Sequence, residues 1–257
     1  MKIRLYTGND TTSNRIVAGI TLKDKKEPES GNMALHACMN PANVLANRKK
    51  LSSVLGSDLG MFVCPNQTHS SNFHKITYSD RGRGATDLHT AIPDVDALYT
   101  FEANLVLCCF TADCVPVIFY NNAVGLVGVI HSGWKGTIKE ITLKLFQHLI
   151  INERCNPVDF RVHIGPAISS EMFEVDRDVY SQFKKLDYAD HCISYNALTG
   201  KYHIDNQQTV KIQCQLAGIP AAQILIDSTC TYKSPVGFSY RRDSKCGRHM
   251  SFVFRSY

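Results

Sequence analysis

Residues 112–137 read ADCVPVIFYNNAVGLVGVIHSGWKGT. The run is almost wholly apolar, yet it opens on Asp113-Cys114 and closes on His131-Ser132-Gly133-Trp134-Lys135-Gly136. Its halves, VPVIFY and AVGLVGVI, are β-rich. Asn121-Asn122 between them is predicted as a hairpin turn, because Asn tolerates positive φ. A hairpin brings the ends of its own sequence together. Cys114, just before the first strand, and His131, just after the second, are therefore expected side by side at the open end. Groups at strand ends on a rigid scaffold keep their geometry better than groups on free loops.

A third donor is His69 in CPNQTHSSN, which follows the short apolar strand MFVC. One Cys and two His, with a fourth position for water, form the donor set of a catalytic zinc site. Such a metal lowers the pKa of bound water from about 15.7 to about 7. Two other readings stay open at this point. Cys114 could be a nucleophile with His131 as its base, or a buried structural thiol beside a core histidine.

The totals narrow the class. The chain has 257 residues, 44% hydrophobic and 20% charged, with a formal net charge of +5. That is an ordinary globular composition with room for a real core. The positive balance suits an anionic small molecule and is too scattered for a nucleic-acid surface. The N-terminal MKIRLYTGND lacks the apolar run of a signal peptide, and no stretch approaches the roughly 18 apolar residues of a membrane span. A cytoplasmic protein is expected, with no nucleic-acid or membrane partner. Its 10 cysteines are then expected as thiols, and no C-x-x-C pattern is present. Cys108 and Cys109 in LVLCCF read as small buried hydrophobes.

KIRLYT, RIVAGITL, FRVHIG, AQILID and SFVF read as further strands. NPANVLANRKKLSSVLG reads as a helix with Asn40 as cap, Pro41 in the first turn, Gly56 at the stop, and Val44, Leu51 and Leu55 on one face. TIKEITLKLFQHLI is predicted as one amphipathic helix with Ile138, Ile141, Leu145 and Leu149 together. DNQQTVKIQCQLAG is another, capped by Asp205 and ended by Gly218. Hairpins mixed with separated helices predict α+β architecture. Neighbours in a strand face opposite ways, so Asp113 and Cys114 share a site only if the strand begins after them. The tail FSYRRDSKCGRHMSFV gathers Arg241, Arg242, Arg248 and His249, which fits either a phosphate cradle or a charged hairpin.

Taken together, ADCVPV, HSGWKGT, IGPAI, DSTCTY and FSYRRDSKCGRHMSFV resemble the bacterial YfiH-type family, also called the laccase-domain or polyphenol oxidase family, which includes purine nucleoside phosphorylases. NPANVLANRKKL is similar to the family's segment around an Asn-Arg pair, and DVDALYT to its Asp-Ala-Leu-x-Thr strand. QTHSS is similar to its Gln-x-His-Gly segment, with Ser70 in place of Gly. The resemblance implies one α+β domain over residues 1–257, with mixed β-sheets flanked by helices, similar to the catalytic domain of cytotoxic necrotizing factor toxins. It implies a metal trio of His69, Cys114 and His131 that holds zinc, with copper as the alternative. It also implies phosphorolysis of adenosine, inosine, guanosine and S-methyl-5'-thioadenosine, and deamination of adenosine.

Within that frame, Arg48 is the first choice for holding phosphate or ribose, followed by Arg242 and Lys135. Lys135 stands where the family commonly has Arg, which weakens any bidentate anion contact. Asp96 and Asp113 are expected to contact substrate, orient ligands or move protons. Purine nucleosides and phosphate are the expected partners, and the chain is expected as a monomer or weak homodimer. Competing readings are a Cys-His amide hydrolase or deamidase, a copper-dependent polyphenol oxidase, and a non-catalytic metal- or nucleoside-binding module. No H-x-H pair of the kind multicopper oxidases use is present, nor is the H-x-E…P-C-x-x-C deaminase signature.

Overall fold

The computed structural model describes residues 1–7 and 15–256. Its strands, in chain order, are β1 (Lys2–Leu5), β2 (Arg15–Leu22), β3 (Phe62–Val63), β4 (Phe73–Lys75), β5 (Ala97–Thr100), β6 (Val106–Thr111), β7 (Val115–Asn121), β8 (Leu126–Ser132), β9 (Phe160–Ile164), β10 (Glu174–Val175), β11 (Ile193–Asn196), β12 (Lys201–Ile204), β13 (Ile224–Ile226) and β14 (His249–Ser256). The helices are α1 (Pro41–Leu55), α2 (Trp134–Ile138), α3 (Ile141–Ile151), α4 (Arg177–Phe183) and α5 (Asn206–Leu216). A five-stranded sheet runs β1-β2-β14-β6-β3, a six-stranded sheet β13-β9-β7-β8-β5-β4, and a three-stranded sheet β10-β12-β11. The pairs β3/β6, β4/β5 and β9/β13 are parallel and the rest antiparallel. The architecture is α+β with mixed sheets flanked by helices.

The period-two geometry of strands sorts their residues into layers. Ile16 and Ala18 of β2, Leu107 and Cys109 of β6 and Val253 of β14 meet Ile118, Val127 and Val129 of the other large sheet. The alternate residues Val17, Val106, Cys108, Phe252 and Phe254 pack with Leu51 of α1. On the far side, Val117, Phe119 and Ile130 pack against Ile141, Leu145 and Leu149 of α3 and Val210 of α5. The two large sheets thus lie face to face between helices, which is why their strands are apolar on both sides. Cys108 and Cys109 are buried on opposite faces, as their pattern predicts. Gly128 is required by the second sheet, because a Cβ there would lie 2.1 Å from the Phe119 ring.

α1 forms as its caps dictate. The Asn40 side chain accepts from Ala42 N at 3.0 Å, and Gly56 takes the left-handed conformation at φ 66°. α5 is capped by Asp205, with Gly218 at φ 95° just past its end. Two local expectations change. Asn121 remains in β7 opposite Leu126, and residues 122–125 make the turn, with Gly125 at φ 68°. The Asn121 side chain instead accepts from Ala123 N at 3.1 Å. The helix predicted after Gly136 is two helices, α2 and α3, parted at Glu140 with φ 60°. The break lets Trp134 and Ile138 pack with Val175, Phe183 and Ile204, away from the face that Ile141 and Leu145 bury.

Four connections cross between the large sheets, β3–β4, β5–β6, β6–β7 and β13–β14, and two of them carry site residues. The β6–β7 link, residues 112–114, passes from the five-stranded to the six-stranded sheet, and so does the chain between β3 and β4. The first carries Cys114 and the second carries His69.

Candidate metal centre and its cavity

His69, Cys114 and His131 converge, with their donor atoms all within 4.8 Å of one another. His69 Nε2 lies 3.9 Å from Cys114 Sγ, and the two imidazole rings meet edge to face with centroids 4.8 Å apart. A tetrahedral ion with bonds of about 2.0–2.3 Å holds its ligands about 3.5 Å apart, so the trio fits with little adjustment. Gly133 keeps the space open, since a Cβ there would lie 2.6 Å from His69 Cδ2 and 3.1 Å from Cys114 Sγ. β7 begins at Val115, so Asp113 and Cys114 precede the strand and alternation does not part them. His131 lies inside β8, opposite Pro116, rather than beyond its end. His69 and Asp113 both have positive φ, 58° and 83°. Positive φ is uncommon for non-glycine residues, and such strain gathers at functional sites.

Asp96, which directly precedes β5, organises the trio. It is fully buried. Its Oδ1 bonds His131 Nδ1 at 2.7 Å and accepts from His69 N at 3.1 Å. Its Oδ2 accepts from Thr68 N at 3.2 Å, and from Ser70 N and Ser70 Oγ at 2.7 Å each. Burial alone would raise this carboxyl, but the His131 and Ser70 bonds hold it down at about 2. The ionised Asp96 fixes the proton of His131 on Nδ1 and leaves Nε2 as the donor atom. Burial likewise pushes the Cys114 thiol up, and the neighbouring His131 and His69 imidazoles reverse this, bringing it to about 6. His131 is driven down by burial but net upward by Cys114 and Asp96.

The trio borders a cavity of about 590 Å³. Asp113 and Lys135 line it, as do Arg241 and Arg248. Asp113 is not free for substrate: Oδ1 accepts from Thr231 Oγ1 at 2.7 Å, and Oδ2 from Ser239 Oγ at 3.0 Å and Arg241 N at 2.7 Å. Asp96 does not line the cavity and acts through the two histidines. Arg48 is not brought to the cavity. It is buried, and its guanidinium donates to the carbonyls of Met33, Gly84 and Ala85 at 2.7–2.8 Å. Arg242 is also turned away, donating to the carbonyls of Tyr232, Ser234 and Gly237. His249 is buried between Thr21 O and Phe238 N.

Sequence reasoning missed His36, Trp134, Phe173, Asn206 and Tyr240 as lining residues. They come from distant parts of the chain, and nothing local marks them. Gln67 offered a signal, lying two residues before His69 in QTHSS. Its amide exchanges two bonds with the Phe110 backbone, at 2.7 and 2.9 Å, and so ties the His69 segment to β6 as a strand neighbour would.

Residues 20–256 match the family model described as multi-copper polyphenol oxidoreductase laccase. The chain belongs to this laccase-like, YfiH-type family. Among its relatives, the chain is 34% identical to the purine nucleoside phosphorylase YlmD of Bacillus subtilis, over 98% of this chain and 93% of the relative. It is 32% identical to the adenosine deaminase RL5 of an unknown prokaryotic organism, over 82% of each. The crystal structure of YlmD from Geobacillus stearothermophilus superposes with a TM-score of 0.90 at 33% identity, covering 97% of this chain and 98% of that one.

Proposed function

We propose that the protein is a zinc-dependent purine nucleoside enzyme that phosphorolyses adenosine, inosine, guanosine and S-methyl-5'-thioadenosine and deaminates adenosine. The observation that carries the reading is the convergence of His69, Cys114 and His131 at the wall of a cavity of about 590 Å³. The names of the YlmD and RL5 relatives supply the substrate class. In phosphorolysis an oxygen of phosphate bonds to C1′ of the ribose as the bond from C1′ to the base nitrogen breaks. The electron pair leaves with the base, which takes up a proton. In deamination, water adds at C6 of adenine and the exocyclic nitrogen leaves as ammonia.

The trio would hold the ion, which supplies Lewis acidity toward the attacking oxygen. The protein's own part is positioning. Asp96 holds the His131 ring and the amides of residues 68–70 in one arrangement before substrate arrives. Trp134, Phe173 and Tyr240 give the cavity aromatic lining that suits a purine. Among the described residues no helix is long and apolar enough to cross a membrane. In this reading the chain works in the cytoplasm as one domain, alone or as a weak homodimer. Polyphenol oxidation needs a mononuclear copper and a copper cluster together. The one three-donor group found among the described residues does not provide enough ligands for both.

A second reading has its own support: Cys114, His131 and Asp96 form the order nucleophile, base and orienting carboxylate. That arrangement suits an amide hydrolase. Metal content separates the two, because a thiolate bound to zinc does not attack. Protein produced without added copper is expected to carry close to one zinc per chain and to form ribose 1-phosphate from inosine only when phosphate is present. Metal-free protein with a readily alkylated Cys114 and no phosphorolysis would replace the first reading with the second.

A further inference from the structure

We infer that Arg241, Arg248 and Lys135 form the phosphate subsite of this cavity. The inference rests on the phosphorolysis reading above and names the residues that serve it. Each of the three cations lies over the ring of an aromatic residue that lines the same cavity. Lys135 Nζ is 5.6 Å from the Trp134 ring, Arg241 Cζ 5.9 Å from Phe173, and Arg248 Cζ 5.6 Å from Tyr240. A ring holds a cation in place without cancelling its charge. Among the described residues none of the three pairs with a carboxylate, whereas Arg4, Lys50, Lys75, Lys184 and Lys233 all do.

The guanidinium groups are partly tethered. Arg241 Nη1 donates to Glu174 O at 2.9 Å, and Arg248 Nη1 to Gly247 O at 3.1 Å. Among the described residues, Nε and Nη2 of both make no hydrogen bond and remain available to a ligand. Among the described residues Asp113 is the one carboxylate lining the cavity, and both its oxygens are occupied by Thr231, Ser239 and the Arg241 amide. The last of these bonds fixes the Arg241 backbone to the residue next to Cys114. Three cations without acidic partners among the described residues, lining the same cavity as the metal trio, match a doubly charged tetrahedral oxyanion, and arginine forks suit its paired oxygens.

The test has two parts. Titration of the zinc-loaded wild-type protein with inorganic phosphate, followed by ³¹P line broadening, is expected to show saturable binding that Arg241→Ala and Arg248→Ala each weaken at least about tenfold, as loss of a charge-assisted hydrogen bond implies. Lys245→Ala, which removes a cation of the same segment outside the cavity, serves as the control and is expected to bind phosphate as the wild type does. In parallel, the ratio of ribose 1-phosphate to inosine formed from adenosine is expected to fall at least about tenfold in both arginine variants, with partial recovery in Arg248→Lys. Unchanged phosphate binding in folded Arg241→Ala and Arg248→Ala overturns the assignment. Because the titration needs no turnover, it decides the subsite even if the nucleoside activity itself fails to appear.

Discussion

Replacing Asp96 by Asn tests whether one buried carboxylate sets the state of both histidines. The side chain keeps its shape but loses acceptor capacity. An amide nitrogen in the place of Oδ2 would face Thr68 N, Ser70 N and Ser70 Oγ. In the place of Oδ1 it would face only His69 N and His131 Nδ1, so this is the less costly choice. His131 then accepts from the amide by moving its proton to Nε2. One donor, His69 N–H, is left unpaired, at a cost of about 1–3 kcal/mol. For a chain of this length that lowers Tm by about 2–12 °C. The larger effect falls on the metal, because Nε2 now carries a proton and zinc affinity drops by about 10–100-fold. Calorimetry gives the first number and competition with a chromophoric chelator the second. The stability difference also has a pH signature. The Asp96 carboxyl is depressed from 3.8 to about 2, so its contribution is full above about pH 4 and is lost as pH falls toward 2. The gap between wild type and Asp96→Asn should close over that window. An Asp96→Asn protein that binds zinc as tightly as wild type would refute the reasoning.

Gly133→Ala places a methyl against His69 and Cys114 while keeping an allowed backbone at φ −66°; native near-ultraviolet dichroism with zinc binding lost is expected, and full zinc occupancy would contradict it. Arg48→Ala leaves the carbonyls of Met33, Gly84 and Ala85 without their buried donor; a loss of at least about 3 kcal/mol in chemical denaturation is expected. A fully stable Arg48→Ala protein with altered phosphate dependence would return Arg48 to the site. In metal-free protein, Cys114 is expected to alkylate with an apparent pKa near 6, slowly below that pH and fast above it, and zinc should suppress the reaction. Alkylation rising only above pH 8 would remove the imidazoles as the cause.

Features encoded within a few residues were legible in the sequence. Asn40, Pro41 and Gly56 bound α1, and the strand periods on either side of residues 122–125 bring Cys114 to His131. The break at Glu140 was not legible, because TIKEITLKLF has good helical spacing throughout and the kink serves distant partners, among them Tyr188, whose hydroxyl donates to Glu140 at 3.0 Å. Arg48 failed for the same reason. Its helix position says that it is charged, and only the fold shows three carbonyls waiting for it. Among the basic residues of the tail, chain neighbours Arg241 and Arg242 diverge, one over Phe173 at the cavity and the other into its own loop. No local rule separates them.

The β3–β4 and β6–β7 crossings between the large sheets have a mechanical consequence. His69 and Cys114 ride on segments that leave one sheet for the other, while His131 belongs to the six-stranded sheet alone. An ion gripping all three is a suture across the seam of the sandwich. It closes only when both layers have docked in register, so a half-assembled chain has no tight site, and loading reports that assembly is complete. Ligation should in turn slow amide exchange along the seam in β6 and β7 alike, so that loss of the ion loosens the joint before it melts either layer.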